Sequence, residues 1–150
     1  MNEQSITAMW ANFKRQNPAV GDDYAAWSFG DSPQMADALA QLVLKGIKTA
    51  TSSAYDLYED DNALPYPGLY NVVLDGNGEA VAIIETTDVQ VVYYEDVTAE
   101  FAYLEGEGDR SITHWREAHR DFFIKELGSV DLAFTEKMGV VLEKFKVVFK

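Results

Sequence analysis

The chain has no cysteine. That single absence removes disulfide frameworks, thiolate zinc sites, iron–sulfur clusters and cysteine nucleophiles together, and it fits a reducing cytoplasm. Positive charge is also scarce: 12 Lys+Arg against 25 Asp+Glu leave a formal net charge of −13. A surface of that sign is ill suited to wrapping long stretches of phosphate backbone, which argues against duplex DNA as a partner. No apolar run approaches the ~20 residues of a membrane span, and Met1-Asn2-Glu3-Gln4 lacks the basic flank and apolar stretch of a signal peptide. The expectation is a cytoplasmic protein with no membrane partner. What the chain does have is 47% hydrophobic and 13% aromatic residues in a length of 150, enough for one domain with a substantial core.

Ile6, Met9, Trp10 and Phe13 recur at helical spacing, so the first stretch reads as an amphipathic helix ending near Asn17-Pro18. Ser32 and Pro33 open a second helix with Met35, Ala36, Leu39, Leu42 and Val43 on its apolar face and Lys45-Gly46 as its stop. The period then changes to two. Leu69–Leu74 and Ala80–Thr87 flank the hairpin signal Asp75-Gly76-Asn77-Gly78, and a separate strand follows over Val89–Tyr94. Ser111 caps a third helix carrying Ile112, Trp115, His119, Phe122 and Phe123, stopped by Gly128. In the final run Phe145, Val147 and Phe149 alternate with Lys144 and Lys146, which predicts a strand with one buried and one basic side. The acidic stretches, around Asp56–Asp61 and from Glu95 to Asp109, read as loops. No repeat or linker divides the chain. The fold class is therefore α+β, a compact curved or closed sheet with helices packed around it, in preference to a doubly wound parallel sheet.

Few chemical motifs survive inspection. Gly106-Glu107-Gly108 lacks the strand and third glycine of a dinucleotide loop, and His114 and His119, five apart, do not form the same-face pair of a helical zinc site. No metal and no cofactor is expected. Lys48 to Ser53 holds five hydroxyl or amine side chains in six residues. Composition alone favours an edge strand with a solvated lysine there. Glu105 to Ser111 likewise reads first as a flexible acidic turn leading into a helix cap. An acid from that turn beside a lysine and a hydroxyl is nevertheless the minimum set for acyl transfer.

Several segments together carry a resemblance. Trp27-Ser28-Phe29-Gly30-Asp31-Ser32, Ala36-Asp37-Ala38-Leu39-Ala40, Gly46-Ile47-Lys48-Thr49-Ala50-Thr51, Thr86-Thr87-Asp88-Val89, Glu105 through Ser111, and Trp115-Arg116 followed by His119 resemble, in order and spacing, the ASCH family of small PUA-like domains. The resemblance covers most of the chain as a single domain over 1–150. It implies a β-barrel or curved sheet with helices around it and a cleft between them. It also implies, from some bacterial members, amide hydrolysis on N4-acetylcytidine by a Lys, a Thr three residues later and a Glu further along; other members are ribonucleases or RNA binders. Carried over residue by residue, the catalytic set is Lys48, Thr51 and Glu105, with Glu107 and Asp109 as alternatives for the acid.

In this scheme Thr51 attacks an acyl carbonyl, and either Lys48 or Glu105 is the base. Burial depresses a lysine pKa whereas a nearby carboxylate raises it, so the balance decides which. Trp27 and Phe29, which lie in a polar, glycine-containing loop and not in an apolar periodic run, are the candidate walls for a nucleobase, ahead of Tyr55 and Tyr93. Ser53, Asp109 and Arg110 complete the expected substrate-binding set. The expected partner is a nucleoside or nucleotide. Single-stranded RNA is the alternative, supported by a basic strip of Lys137, Lys144, Lys146 and Lys150.

Overall fold

Asn2 opens the first helix by accepting a hydrogen bond from the Ser5 N–H, and α1 (Glu3–Gln16) buries Ile6, Trp10 and Phe13 along one stripe. This computed structural model describes residues 2–150. After β1 (Ala25–Ser28), Ser32 Oγ accepts from the Met35 N–H to start α2 (Pro33–Leu44). Its buried residues are Ala36, Ala40 and Val43, while Met35, expected on the apolar face, is exposed. Ala40 and Val43 pack with Phe29, Val73, Ile84 and Phe145. The chain continues through β2 (Ala50–Ala54), β3 (Tyr70–Leu74) and β4 (Ala80–Tyr93), then α3 (Ala99–Glu105), α4 (Ile112–Gly128) and β5 (Gly139–Phe149).

The strands form one curled sheet in the order β1-β3-β4-β5-β2. All pairings are antiparallel except β1 with β3. The hairpin and the C-terminal strand thus lie side by side in one α+β half-barrel, open at β1 and β2 rather than closed. Side-chain alternation sorts the packing. Val72, Leu74 and Ile83 pack with α1, and Ala50, Ala54, Val140 and Leu142 pack with Phe101, Trp115 and Phe123 of α3 and α4. The opposite face carries Val73, Ile84 and Phe145 against α2.

Four expectations are corrected. Trp27 lies in a strand, β1, and not in a loop. The two strands expected over 80–87 and 89–94 are one, because the ladder to β5 slips between Thr86 and Asp88 and resumes, so the polar Asp88 marks an irregularity and not an end. The alternation at the C-terminus breaks where Ile83 pairs with Phe149 and Ile84 with Val147: Val147 is exposed, while Val148 and Phe149 pack beside α1. The acidic stretch from Glu95 to Asp109 contains α3, capped by Thr98 Oγ1 accepting from the Phe101 N–H. Its buried face is Phe101, Ala102 and Glu105, and the carboxylate in that stripe conceals the helical period.

Among the described residues no helix is long and apolar enough to cross a membrane. Phe123 has no solvent exposure and packs within the α3–α4 cluster. Phe123→Ala is expected to cost about 3–5 kcal/mol, read as a lowered urea midpoint with the slope unchanged.

Candidate functional site

The lysine after α2 is forced inward by backbone geometry. Gly46 takes φ +76°, ending the helix, and the N–H groups of Ile47 and Lys48 both return to Leu42 O. Thr49 N–H then bonds Leu104 O at 2.8 Å, stitching the start of β2 to the last turn of α3. Gly106 ends that helix at φ +73°, and a Cβ there would stand 2.7 Å from Ile47 O. Only glycine lets the two chain segments meet this closely. Their meeting brings Lys48 and Glu105 together, each 1% exposed.

Lys48 Nζ donates to Glu105 Oε1 at 3.1 Å and to Glu107 Oε2 at 2.9 Å, and lies 5.3 Å from the centre of the Phe29 ring. Glu105 Oε2 accepts from Ser52 Oγ at 2.7 Å and from Trp115 Nε1 at 2.6 Å. His119 stacks on Trp115 with ring centres 4.2 Å apart, donates from Nδ1 to Trp115 O, and holds Nε2 3.5 Å from Glu105 Oε1. Burial works against the Lys48 ammonium, but the Glu105 and Glu107 carboxylates outweigh it and hold the pKa above its ordinary value. Burial likewise opposes charge on Glu105, yet Lys48 and His119 hold that carboxyl well below the usual carboxylate range. His119 is raised, its burial overcome by Glu105. The lysine is therefore cationic and has no free lone pair with which to accept a proton. Glu105, Glu107 and His119 bring three ligand atoms within 4.8 Å, a set able to hold a metal ion, although Lys48 already lies as the cation between the two carboxylates.

Strand alternation separates the hydroxyls of β2. Ser52 faces Glu105, whereas Thr51 and Ser53 point to the other side, where Thr51 pairs with Glu143 and Ser53 with Val141 on β5. Thr49 Oγ1 bonds Leu104 O and Ser53 Oγ shares a 2.8 Å bond with Tyr58, but among the described residues nothing bonds the Thr51 hydroxyl. Thr51 lines a small cavity of about 80 Å³ together with Lys48, Ser52, Glu105, Glu107 and His119. It also lines an adjoining one of about 360 Å³ that Trp27, Phe29, Ser53, Tyr58, Phe122 and Glu143 enclose.

A family model described as the ASCH domain matches residues 25–149. The chain belongs to the ASCH family. A crystal structure of an ASCH domain from Lactobacillus crispatus JV V101 superposes with a TM-score of 0.89 at 34% identity, covering 100% of this chain and 97% of that one. A crystal structure of a protein from Enterococcus faecalis V583 does so with a TM-score of 0.89 at 36% identity, covering 99% of this chain and 95% of that one. No protein with a curated description matches.

Within this ASCH domain the expected residues divide. Lys48, Thr51 and Glu105 share the small cavity, and Glu107 joins them; Trp27, Phe29 and Ser53 line the larger one. Asp109 and Arg110, expected to bind substrate, line neither. Asp109 accepts from the Ser111 N–H at the start of α4, and Arg110 lies over the Tyr103 ring while bonding Tyr103 O and Ile47 O. Both are spent on holding the α3–α4 turn. Tyr55 bonds Asp61 and Tyr93 faces Lys137, away from the cavities. Of the basic strip, Lys137 pairs with Glu95, Lys146 with Glu85, and Lys150 with Leu44 O. Sequence reasoning missed Ser52, Glu143, Asn71 and Thr86 as site residues. A strand register would have exposed Glu143, since it lies opposite Thr51.

The charge cluster gives stability a distinct pH dependence. A protonated His119 contributes stability that is fully present below its ordinary pKa of 6.5 and is lost as pH rises through the higher folded value. Glu105 contributes stability that is present above its ordinary 4.5 and is lost as pH falls toward the depressed folded value. Urea midpoints of the parental chain and His119→Gln are expected to differ most near pH 5.5–6.5 and to converge on the alkaline side. A difference that persists unchanged from there to the alkaline side would place a neutral His119 in the fold. Gly106→Ala is expected to destabilise by more than the ~1 kcal/mol of a left-handed alanine alone, because the new Cβ meets Ile47 O; thermal melting reads this directly.

Proposed function

We propose that this ASCH domain hydrolyses the amide of an acylated cytidine-type nucleoside. The observation that carries the reading is a threonine hydroxyl with no partner among the described residues, lining the same cavity as a buried ammonium held between two carboxylates. Thr51 Oγ1 attacks the acyl carbonyl carbon and gives up its proton to a carboxylate. Negative charge gathers on the carbonyl oxygen, and the Lys48 ammonium stabilises it. Collapse breaks the carbon–nitrogen bond as the proton passes to the leaving amine. Water then cleaves the threonine ester and releases the carboxylic acid.

The two acids take different parts. Glu105 accepts from Lys48, Ser52 and Trp115 and is depressed well below an ordinary carboxylate, a poor proton acceptor whose role is to hold Lys48 in place. Glu107 bonds Lys48 with a side chain 23% exposed, which leaves it free to receive the proton. The net charge of −13 and the acids paired to Lys137 and Lys146 favour a single nucleoside over a track of RNA.

Incubation of the protein with N4-acetylcytidine is expected to release cytidine and acetate, and incubation with single-stranded RNA to leave the strand intact. Thr51→Ala should abolish release while moving the melting temperature little, because the lost hydroxyl satisfies nothing in the fold. Lys48→Ala is a poorer test: it strands Glu105 as a buried charge, which costs about 3–5 kcal/mol on its own. A Thr51→Ala protein that turns over acetylated cytidine at the parental rate would overturn the reading.

A further inference from the structure

Asn71, Thr86 and Glu143 are the buried polar residues on the far side of β2 from Lys48, and they form one chain of hydrogen bonds. Trp27 Nε1 donates to Asn71 Oδ1 at 3.0 Å, Asn71 Nδ2 donates to Thr86 Oγ1 at 3.1 Å, and Thr86 Oγ1 donates to Glu143 Oε2 at 2.6 Å. Each member fixes the orientation of the next. The chain ends at Glu143 Oε1, for which no partner exists among the described residues. No buried side-chain oxygen or nitrogen among them lacks a hydrogen bond, so Oε1 is not sealed in the protein but opens on the cavity of about 360 Å³ that Glu143 lines. An oriented acceptor on a residue 6% exposed, facing empty space, is a construction that core packing does not require.

The surroundings say what fits. Trp27 stands edge-on to Phe29 with ring centres 4.7 Å apart, and the two rings with Phe122 give the cavity aromatic walls suited to a flat heterocycle. Glu126 also lines it, so the cavity carries two carboxyls and no Lys or Arg. An anionic ligand gains nothing from such a lining. Thr51 lies directly across the ladder from Glu143, and cross-strand neighbours share a face about 5 Å apart.

We propose that Glu143 is the specificity-determining residue of the site: its Oε1 accepts a hydrogen bond from the exocyclic N–H of an uncharged cytosine-type ring seated against Trp27. The acyl group on that nitrogen is thereby turned toward Thr51. This rests on the hydrolase reading for the identity of the ring, and it selects a nucleoside or base over a nucleotide.

Calorimetric titration separates the two. The probes are N4-methylcytidine, which keeps one exocyclic N–H, and N4,N4-dimethylcytidine, which has none; a site that admits an acyl group on this nitrogen has room for the first methyl, and the second takes the place of the hydrogen that Glu143 would accept. The parental chain is expected to bind the monomethyl compound at least tenfold more tightly. Glu143→Ala should lose that preference, and Glu143→Gln, which retains an acceptor oxygen, should keep most of it. Equal binding of the two probes by the parental chain overturns the proposal without recourse to any variant, as does failure to bind either. So does a folded Glu143→Ala protein with the parental preference. A chain that discriminates the probes yet leaves N4-acetylcytidine intact would uphold the role of Glu143 in binding and overturn hydrolysis.

Discussion

A lysine and a glutamate that have both left water hold the site of this ASCH domain together. Removing either charge from solvent costs several kcal/mol, and the pair recovers that cost only while every remaining hydrogen-bonding position is filled. Here the filling comes from separate elements: Ser52 from β2, Trp115 and His119 from α4, Glu107 from the turn after α3. The arrangement is therefore a poor source of stability but a strict condition on geometry. Each contributing element must be in place for the pair to be tolerated, which makes the cluster a device that fixes where Thr51 stands.

That condition explains how an edge strand becomes a site. An edge presents unpaired backbone and is normally blunted by charge, proline or a covering element. β2 has β5 on one side, and α3 and α4 pack against its Ala50 and Ala54. Its alternation then distributes two kinds of chemistry. Ser52 serves the ion cluster on one face, and Thr51 opposes Glu143 on the other. The six buried polar or charged residues among those described, Lys48, Asn71, Thr86, Glu105, His119 and Glu143, fall into the two hydrogen-bonded networks on either side of this five-residue strand.

Periodicity and caps made much of the fold readable. The Ser32-Pro33 and Ser111 helix starts, the Asp75–Gly78 hairpin and the final strand all carry local signals, and they appear where those signals lie. What escaped is what local pattern cannot encode. α3 was hidden because a residue of its buried stripe is Glu105, whose partners come from 57 and 53 residues away in sequence. β1 is four residues long and owes its existence to pairing with β3. Lys48 read as solvated because lysines usually are, and only the close approach licensed by Gly106 makes it otherwise. Asp109 and Arg110 looked available for a ligand because a charged, glycine-rich turn looks idle in sequence. In the folded chain both are employed in shaping it.

The charge of the whole chain and the charge of its cleft point in different directions, and the cleft is the more informative. A net −13 is spread over exposed side chains, whose fields are screened within about 8–10 Å at ordinary ionic strength. Inside the cleft, Lys48 and a raised His119 face Glu105 and Glu107, so the ion cluster nearly cancels itself. On the other side of β2, burial raises the carboxyls of Glu143 and Glu126 above their ordinary pKa. The cleft thus holds no excess of positive charge beneath an acidic surface. A ligand carrying phosphates meets repulsion outside and, along the larger cavity, two carboxyls and no cation. An uncharged, flat molecule meets neither obstacle, and its affinity must come from aromatic walls and from oriented single hydrogen bonds such as the one Glu143 is placed to make.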